Sequence, residues 1–158
     1  MEEITFRKLR PEDAEISWHW RNDPEIWKYT GRVHRNYITK EIEQAWIEQE
    51  LAKEDVNRFA ICIGSEQRYI GNIHLTFDES GTAAECHIFI GDKELWGKGI
   101  ASSAMTWFVD YARKELPLKR LIGKFHKDNE PILKLASKLG FSKTGETSGD
   151  YIYVERLL

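Results

Sequence analysis

Between Trp96 and Ala101 the chain reads Trp96-Gly97-Lys98-Gly99-Ile100-Ala101. An apolar strand-like run, Ile88-Phe89-Ile90-Gly91, comes before it, and a stretch with helical apolar spacing follows. A helix N-terminus has unpaired N–H groups and partial positive charge, and so attracts phosphate. Glycines at 97 and 99 let the backbone approach anionic oxygens without a Cβ in the way, and Lys98 adds a point charge. Two rival phosphate motifs fail. The pattern Gly-x-x-x-x-Gly-Lys-Ser/Thr is absent. A dinucleotide fingerprint would need glycine where Ser102 stands and an acid among Leu118, Lys119, Arg120 and Leu121. From Thr82 to Gly91 the chain has the period of a strand, so Glu85, His87 and Phe89 share one face and Cys86, Ile88 and Ile90 the other. Glu85 and His87 are thus side by side, two groups able to exchange protons with a bound molecule.

These groups need a scaffold, and the spacing of apolar residues describes one. Ile4, Phe6 and Leu9 alternate with polar neighbours and predict a strand over 3–10. Pro11 opens a helix with Glu12, Asp13 and Glu15 in its first turn and Ala14, Trp18 and Arg21 along one side. Asn22-Asp23-Pro24 stops it. Thr39 caps a second helix that carries Ile42, Ala45, Trp46 and Gln49 on one face and fades near Asp55. Strands over 58–64, 68–77 and 82–91, joined by short polar turns, predict an antiparallel meander. Ile100, Ala101, Ala104, Met105, Phe108, Val109 and Ala112 then fall at helical spacing, and Pro117 ends that helix. A strand over 118–125 and a helix over 131–139 follow, with Ile132, Leu135, Ala136 and Leu139 inward and Gly140 as its stop. Strands over 141–145 and 151–158 close the chain. The expected fold is α+β in a single domain, 1–158: a mixed sheet with helices on both faces.

Composition excludes several classes. With 158 residues and a net charge of −3, the chain lacks the basic surplus of a nucleic-acid binder. No run approaches the roughly 18 apolar residues of a membrane span. The start, MEEITFRKLR, has no apolar signal region, so a cytoplasmic location is expected. Cys62 and Cys86 are expected to be buried, reduced thiols. The 5 histidines show no ligand spacing, so no metal site is expected. Trp18, Trp20, Trp27 and Trp46 crowd the first third and are expected mainly in the core.

Four segments in order resemble the GNAT superfamily of N-acetyltransferases, and most closely its RimJ/RimL branch. They are Trp20-Arg21-Asn22-Asp23-Pro24-Glu25-Ile26, Ala84-Glu85-Cys86-His87-Ile88-Phe89-Ile90, the loop Trp96 to Ala101, and Asn129 through Lys138-Leu139-Gly140-Phe141. Trp96 departs from the superfamily's Gln/Arg but is familiar in this branch. The resemblance implies a mostly antiparallel sheet of about seven strands with about four helices. It also implies acetyl-coenzyme A as co-substrate, with no metal. Phe89, Ile90, Gly91, Trp96, Gly97, Lys98, Gly99, Ile100, Ala101 and Asn129 would hold the coenzyme. Asn129 would touch its pantetheine arm, and backbone N–H groups around Phe89 to Gly91 would receive the oxyanion.

The implied reaction is direct attack of an amine on the thioester. An alkyl amine is mostly ammonium at neutral pH, so a base must take its proton. Glu85, directly or through a water, is the expected base, with His87 the second choice. The family's tyrosine acid falls at Ala136, and the serine or alanine three residues after the asparagine is Ile132. Tyr151, Tyr153, His126 or bulk water could reprotonate the thiolate instead. Residues 18–46 and the last hairpin are expected on the acceptor side. There Trp20, Arg21, Asn22 and Trp27 could seat an anionic or sugar-like group, although Arg21 could equally pair with Asp23 or Glu25 at the surface. Glu41, Glu43, Glu48, Glu50, Glu54 and Asp55 read as a solvated helix face. Candidate acceptors are a protein N-terminus, an amino sugar, a polyamine or an aminoglycoside. Neither nucleic acid nor membrane is expected as a partner, and the chain would act as a monomer or homodimer. The alternative reading is a coenzyme-binding module of the same fold that has lost catalysis, favoured by Ala136.

Overall fold

The computed structural model describes residues 2–30, 36–53 and 57–158. Glu54 and Asp55, where the second helix was expected to fade, lie outside the described residues. The elements are β1 (Ile4–Lys8), α1 (Ala14–Arg21), α2 (Lys40–Leu51), β2 (Arg58–Ile63), β3 (Arg68–Phe77), β4 (Ala83–Ile90), α3 (Ile100–Glu115), β5 (Arg120–His126), α4 (Glu130–Lys138), β6 (Ser142–Ser148) and β7 (Tyr151–Leu157). Short 3-10 turns at Pro11–Asp13 and Lys93–Leu95 precede α1 and α3. The strands form one mixed seven-stranded sheet in the order β1-β2-β3-β4-β5-β7-β6. β4 and β5 run parallel, while β1–β2, β2–β3, β5–β7 and β6–β7 are antiparallel.

By internal contacts the chain divides into two compact units, Met1–His74 with Ile88–Ala101, and Leu75–His87 with Ser102–Leu158. In the first unit, Leu9, Ala14, Trp20, Ile47, Ala60, Cys62 and Tyr69 form a core cluster, with Ile26, Trp46 and Phe89 against it. Helices α1 and α2 thus cover the sheet face that carries Ala60 and Cys62. Thr39 caps α2 as expected, its hydroxyl oxygen accepting from the Ile42 N–H at 3.2 Å.

The buried faces of both helices differ from the expected ones. In α1 the buried residues are Ala14, Ser17 and Trp20; in α2 they are Glu43 and Ile47. Ile42, expected inward, is 50% exposed, whereas Glu43, read as part of a solvated face, is only 2% exposed. Apolar spacing gave the wrong side because a buried ion pair occupies the right one. The Glu43 carboxylate accepts from the Ser17 hydroxyl at 2.9 Å and from Arg21 Nε at 3.0 Å. A buried carboxylate is tolerated only when paired and hydrogen-bonded in this way.

In the second unit, Ala104, Met105, Phe108 and Ala112 of α3 are fully buried, as their spacing predicts. Helix α4 ends on Gly140 at φ +89, where the Phe141 N–H donates to Ala136 O at 2.9 Å and the Gly140 N–H to Ser137 O at 3.1 Å. That is the Schellman pattern, and it needs a left-handed residue at Gly140. Arg156 Nε donates to Leu139 O at 2.8 Å, which fixes the end of α4 on the face of β7 that carries Arg156 and the buried Val154. Both cysteines are free and buried. Burial pushes the Cys86 thiol up to about 12, with the charge of Glu85 adding to the rise, so it stays protonated at neutral pH.

Candidate active site

The glycine loop has the geometry of an anion cradle. Gly97 and Gly99 have φ of +76 and +81, and a Cβ built on either would meet nothing within 4 Å. Glycine is required here by backbone conformation, and the space over the loop is open. Two left-handed residues around Lys98 lead into Ile100, where α3 begins, and the first N–H groups of a helix have no intrahelical acceptor. Trp96 ties the loop down: its indole Nε1 donates to the Ile90 carbonyl at 2.8 Å.

That bond also reads the orientation of the end of β4. The Gly91 N–H donates to Ile70 O of β3 at 2.7 Å. Backbone groups alternate sides along a strand, so the N–H and carbonyl of Ile90 point to the edge away from β3. Of the backbone donors expected around Phe89 to Gly91, the Gly91 N–H is therefore engaged within the sheet. The Phe89 N–H faces the same way, and that of Ile90 alone faces the other edge. Gly91 serves a different need: a Cβ there would lie 2.1 Å from the Trp20 ring, so the indole rests directly on its backbone.

Glu85 and His87 share a face of β4, as expected. His87 Nε2 lies 3.4 Å from Glu85 Oε2 and 3.5 Å from the Thr76 hydroxyl. Their side chains are 29% and 32% exposed, so both can meet solvent and a bound molecule. On β5, Ile122 pairs with Glu85 in parallel register. Asn129 is the N-cap residue of α4, and its side chain makes no capping bond. Ala136 is buried at 3% exposure on the core side of α4, so no acid stands at that position.

A family model described as an acetyltransferase (GNAT) domain matches residues 3–142. The chain belongs to the GNAT acetyltransferase family. N-acetyltransferase p20 of Bacillus licheniformis, itself uncharacterized, is 31% identical over 146 residues, covering 91% of this chain and 82% of that one. The fold is shared with the spermidine N-acetyltransferase of Vibrio cholerae solved with CoA and spermine, at TM-score 0.84 and 20% identity over 98% of this chain and 95% of that one. It is shared equally with the ribosomal-protein-S5-alanine acetyltransferase of Vibrio fischeri, at TM-score 0.84 and 22% identity over 99% and 94%.

In this GNAT chain the residues expected on the acceptor side are held by their own unit. Trp20 and Trp27 are 8% and 9% exposed, and Trp27 Nε1 donates to Trp20 O at 2.8 Å. Asn22 clamps the chain ahead of α2: its amide donates to Ile38 O at 2.8 Å and accepts from the Ile38 N–H at 2.9 Å. Arg21 pairs with Glu43, not with Asp23 or Glu25, and its guanidinium lies 4.2 Å from the Trp46 ring centroid and 5.4 Å from that of Trp27. Asp23 and Glu25 instead bind Lys93, at 2.8 and 3.0 Å. Sequence reasoning missed this clamp, which anchors the turn before the glycine loop. It also missed Lys124 of β5, which faces Tyr151 and Tyr153 of β7, both already named as possible acids. Alternation along those strands was the available signal for the second. For the first, which joins residues 68 positions apart, no local signal exists.

The described residues contain no cluster of His, Cys, Asp or Glu able to hold a metal ion. No helix among them is long and apolar enough to cross a membrane.

Proposed function

We propose that this GNAT acetyltransferase moves the acetyl group of acetyl-CoA onto a primary amine by direct attack, without a covalent enzyme intermediate. The observation that carries the reading is the open pair of left-handed glycines, Gly97 and Gly99, at the start of α3, anchored by Trp96 to the end of β4. Those residues suit a diphosphate: Lys98 supplies charge and the first turn of α3 supplies N–H donors. Acetyl-CoA, when bound, supplies an activated thioester carbonyl. The Ile90 N–H, turned from β3, is the candidate oxyanion donor. Asn129, whose side chain makes no capping bond, offers its amide to the pantetheine arm.

Glu85 takes the amine proton, with His87 beside it as alternative base or as its partner. The leaving thiolate is reprotonated by Tyr151, Tyr153, His126 or water, because Ala136 offers no proton. Positioning of two substrates supplies much of the rate. The acceptor is a protein N-terminal amine or a small amine, in keeping with the RimJ/RimL-like segments around Asn22 and Gly140. The free, buried Cys62 and Cys86 accord with a reducing, cytoplasmic setting.

The buried Ala136 also favours a second reading, a coenzyme-binding module without turnover. Free thiol measured over a panel of amines with acetyl-CoA separates the two. Amine-dependent release is the expected result. Tight coenzyme binding with no release from any amine would establish the module.

A further inference from the structure

The sheet face that carries Glu85 extends across β5 and β7 within the second unit. Register places Glu85 beside Ile122, and Lys124 one repeat further along β5, about 8 Å from Glu85 between Cα atoms. Lys124 pairs with Tyr153 and His126 with Tyr151, so Lys124, His126, Tyr151 and Tyr153 share this face. The opposite face bears the buried Ala84, Cys86, Leu121 and Val154. The Glu85 face is half-open by comparison.

Its charges are unevenly engaged. Glu155 is held by Arg120 at 3.0 Å, and Asp150 by Lys127 at 3.4 Å. Lys124 is exposed, and its ammonium lies 5.3 Å from the Tyr151 ring centroid and 5.7 Å from that of Tyr153. Among the described residues it meets no carboxylate. An ammonium beside two phenol rings, with no carboxylate partner among the described residues, leaves a positive charge on a half-open face, and each phenol carries an O–H able to donate, a set complementary to an anion.

We infer that the amine acceptor carries a carboxylate, received by Lys124 between Tyr151 and Tyr153 a few bonds from the reacting nitrogen. This rests on the acetyltransferase reading for the role of Glu85, but the anion subsite stands on its own geometry. The occupant is an amino acid or a peptide with an acidic residue near its N-terminus. A polyamine is disfavoured.

Calorimetric titration tests it without turnover. The probes are an ω-amino acid, a diamine of the same length, and two dipeptide amides, Ala-Asp and Ala-Lys. The protein is tested as wild type, Lys124→Met and Lys124→Glu. The wild type is expected to bind the carboxylate member of each pair about ten-fold tighter. Lys124→Met should abolish that preference and Lys124→Glu reverse it, with unchanged melting because the side chain is exposed. The stronger of the two carboxylate ligands identifies the source as free amino acid or peptide. Equal binding of carboxylate and diamine, or a ranking indifferent to Lys124→Glu, overturns the inference whether or not the protein acetylates. A carboxylate preference with no thiol release from any amine upholds the subsite and removes the acetyltransferase reading instead.

Discussion

The indole N–H of Trp96 and the carbonyl of Ile90, 2.8 Å apart, join the glycine loop to the edge of β4 that turns away from β3. A residue 41% exposed thereby fixes the position of a loop at whose two glycines a Cβ would meet nothing within 4 Å. Trp96→Phe keeps an aromatic ring, though a smaller one, and removes the donor. One hydrogen bond is worth about 1 kcal/mol, so coenzyme affinity should fall about five-fold while the melting temperature barely moves. Titration calorimetry checks this; unaltered affinity would mean the loop holds its place without the bond.

Gly99 can be tested in two steps. Gly99→Ala forces an L residue into φ +81 and should cost about 1–2 kcal/mol of stability. Gly99→Glu adds a carboxylate where the diphosphate is proposed to lie, and should weaken coenzyme binding by roughly a hundred-fold beyond the alanine variant. A folded Gly99→Glu protein that binds like Gly99→Ala would remove the diphosphate from this loop.

For Glu85 the readout is a pH profile. Glu85→Gln should lower kcat/KM by about a hundred-fold and flatten its dependence on pH. His87→Gln should leave the profile's shape in place if His87 only supports Glu85 across their 3.4 Å contact. The reverse pattern would exchange their roles.

The buried Glu43 makes a stability prediction separate from catalysis. Glu43→Ala leaves the Arg21 side chain, 11% exposed, without its partner and should cost about 3–5 kcal/mol in denaturant unfolding. The double variant Arg21→Met with Glu43→Leu should cost much less, because no uncompensated charge is left behind. Equal losses in the two proteins would show that packing dominates at this site.

Lys93 gives a pH-dependent case. Its hydrogen bond holds the Asp23 carboxyl below the ordinary 3.8, and the backbone N–H groups of Glu25 and Ile26 lower it further. A depressed carboxyl stabilises the fold above its unfolded pKa, and that contribution fades as pH falls through the folded value. Lys93→Met should therefore be slightly less stable than wild type at neutral pH, and the two unfolding curves should converge below pH 3.8. A constant gap down to strong acid would assign the effect to the lysine's aliphatic stem.

The order of elements was legible in the sequence because each depends on local pattern. The β3 bounds, the Thr39 cap and the Gly140 stop follow from residue type and spacing alone, and so does the placing of Glu85 and His87 on one strand face. The glycine loop was legible because glycines at 97 and 99 before a helix require no knowledge of distant residues. What the tertiary structure decided was the pairing of polar groups far apart in the chain. Glu43 looked solvated until Ser17 and Arg21, 26 and 22 residues away, closed around it and turned α2 by one position. Arg21 was expected either to seat a ligand or to pair with Asp23 or Glu25, and folding gave it Glu43 instead. Local spacing records which residues prefer water. It holds no record of a partner that makes burial of a charge tolerable, and such partners meet only when the chain is folded.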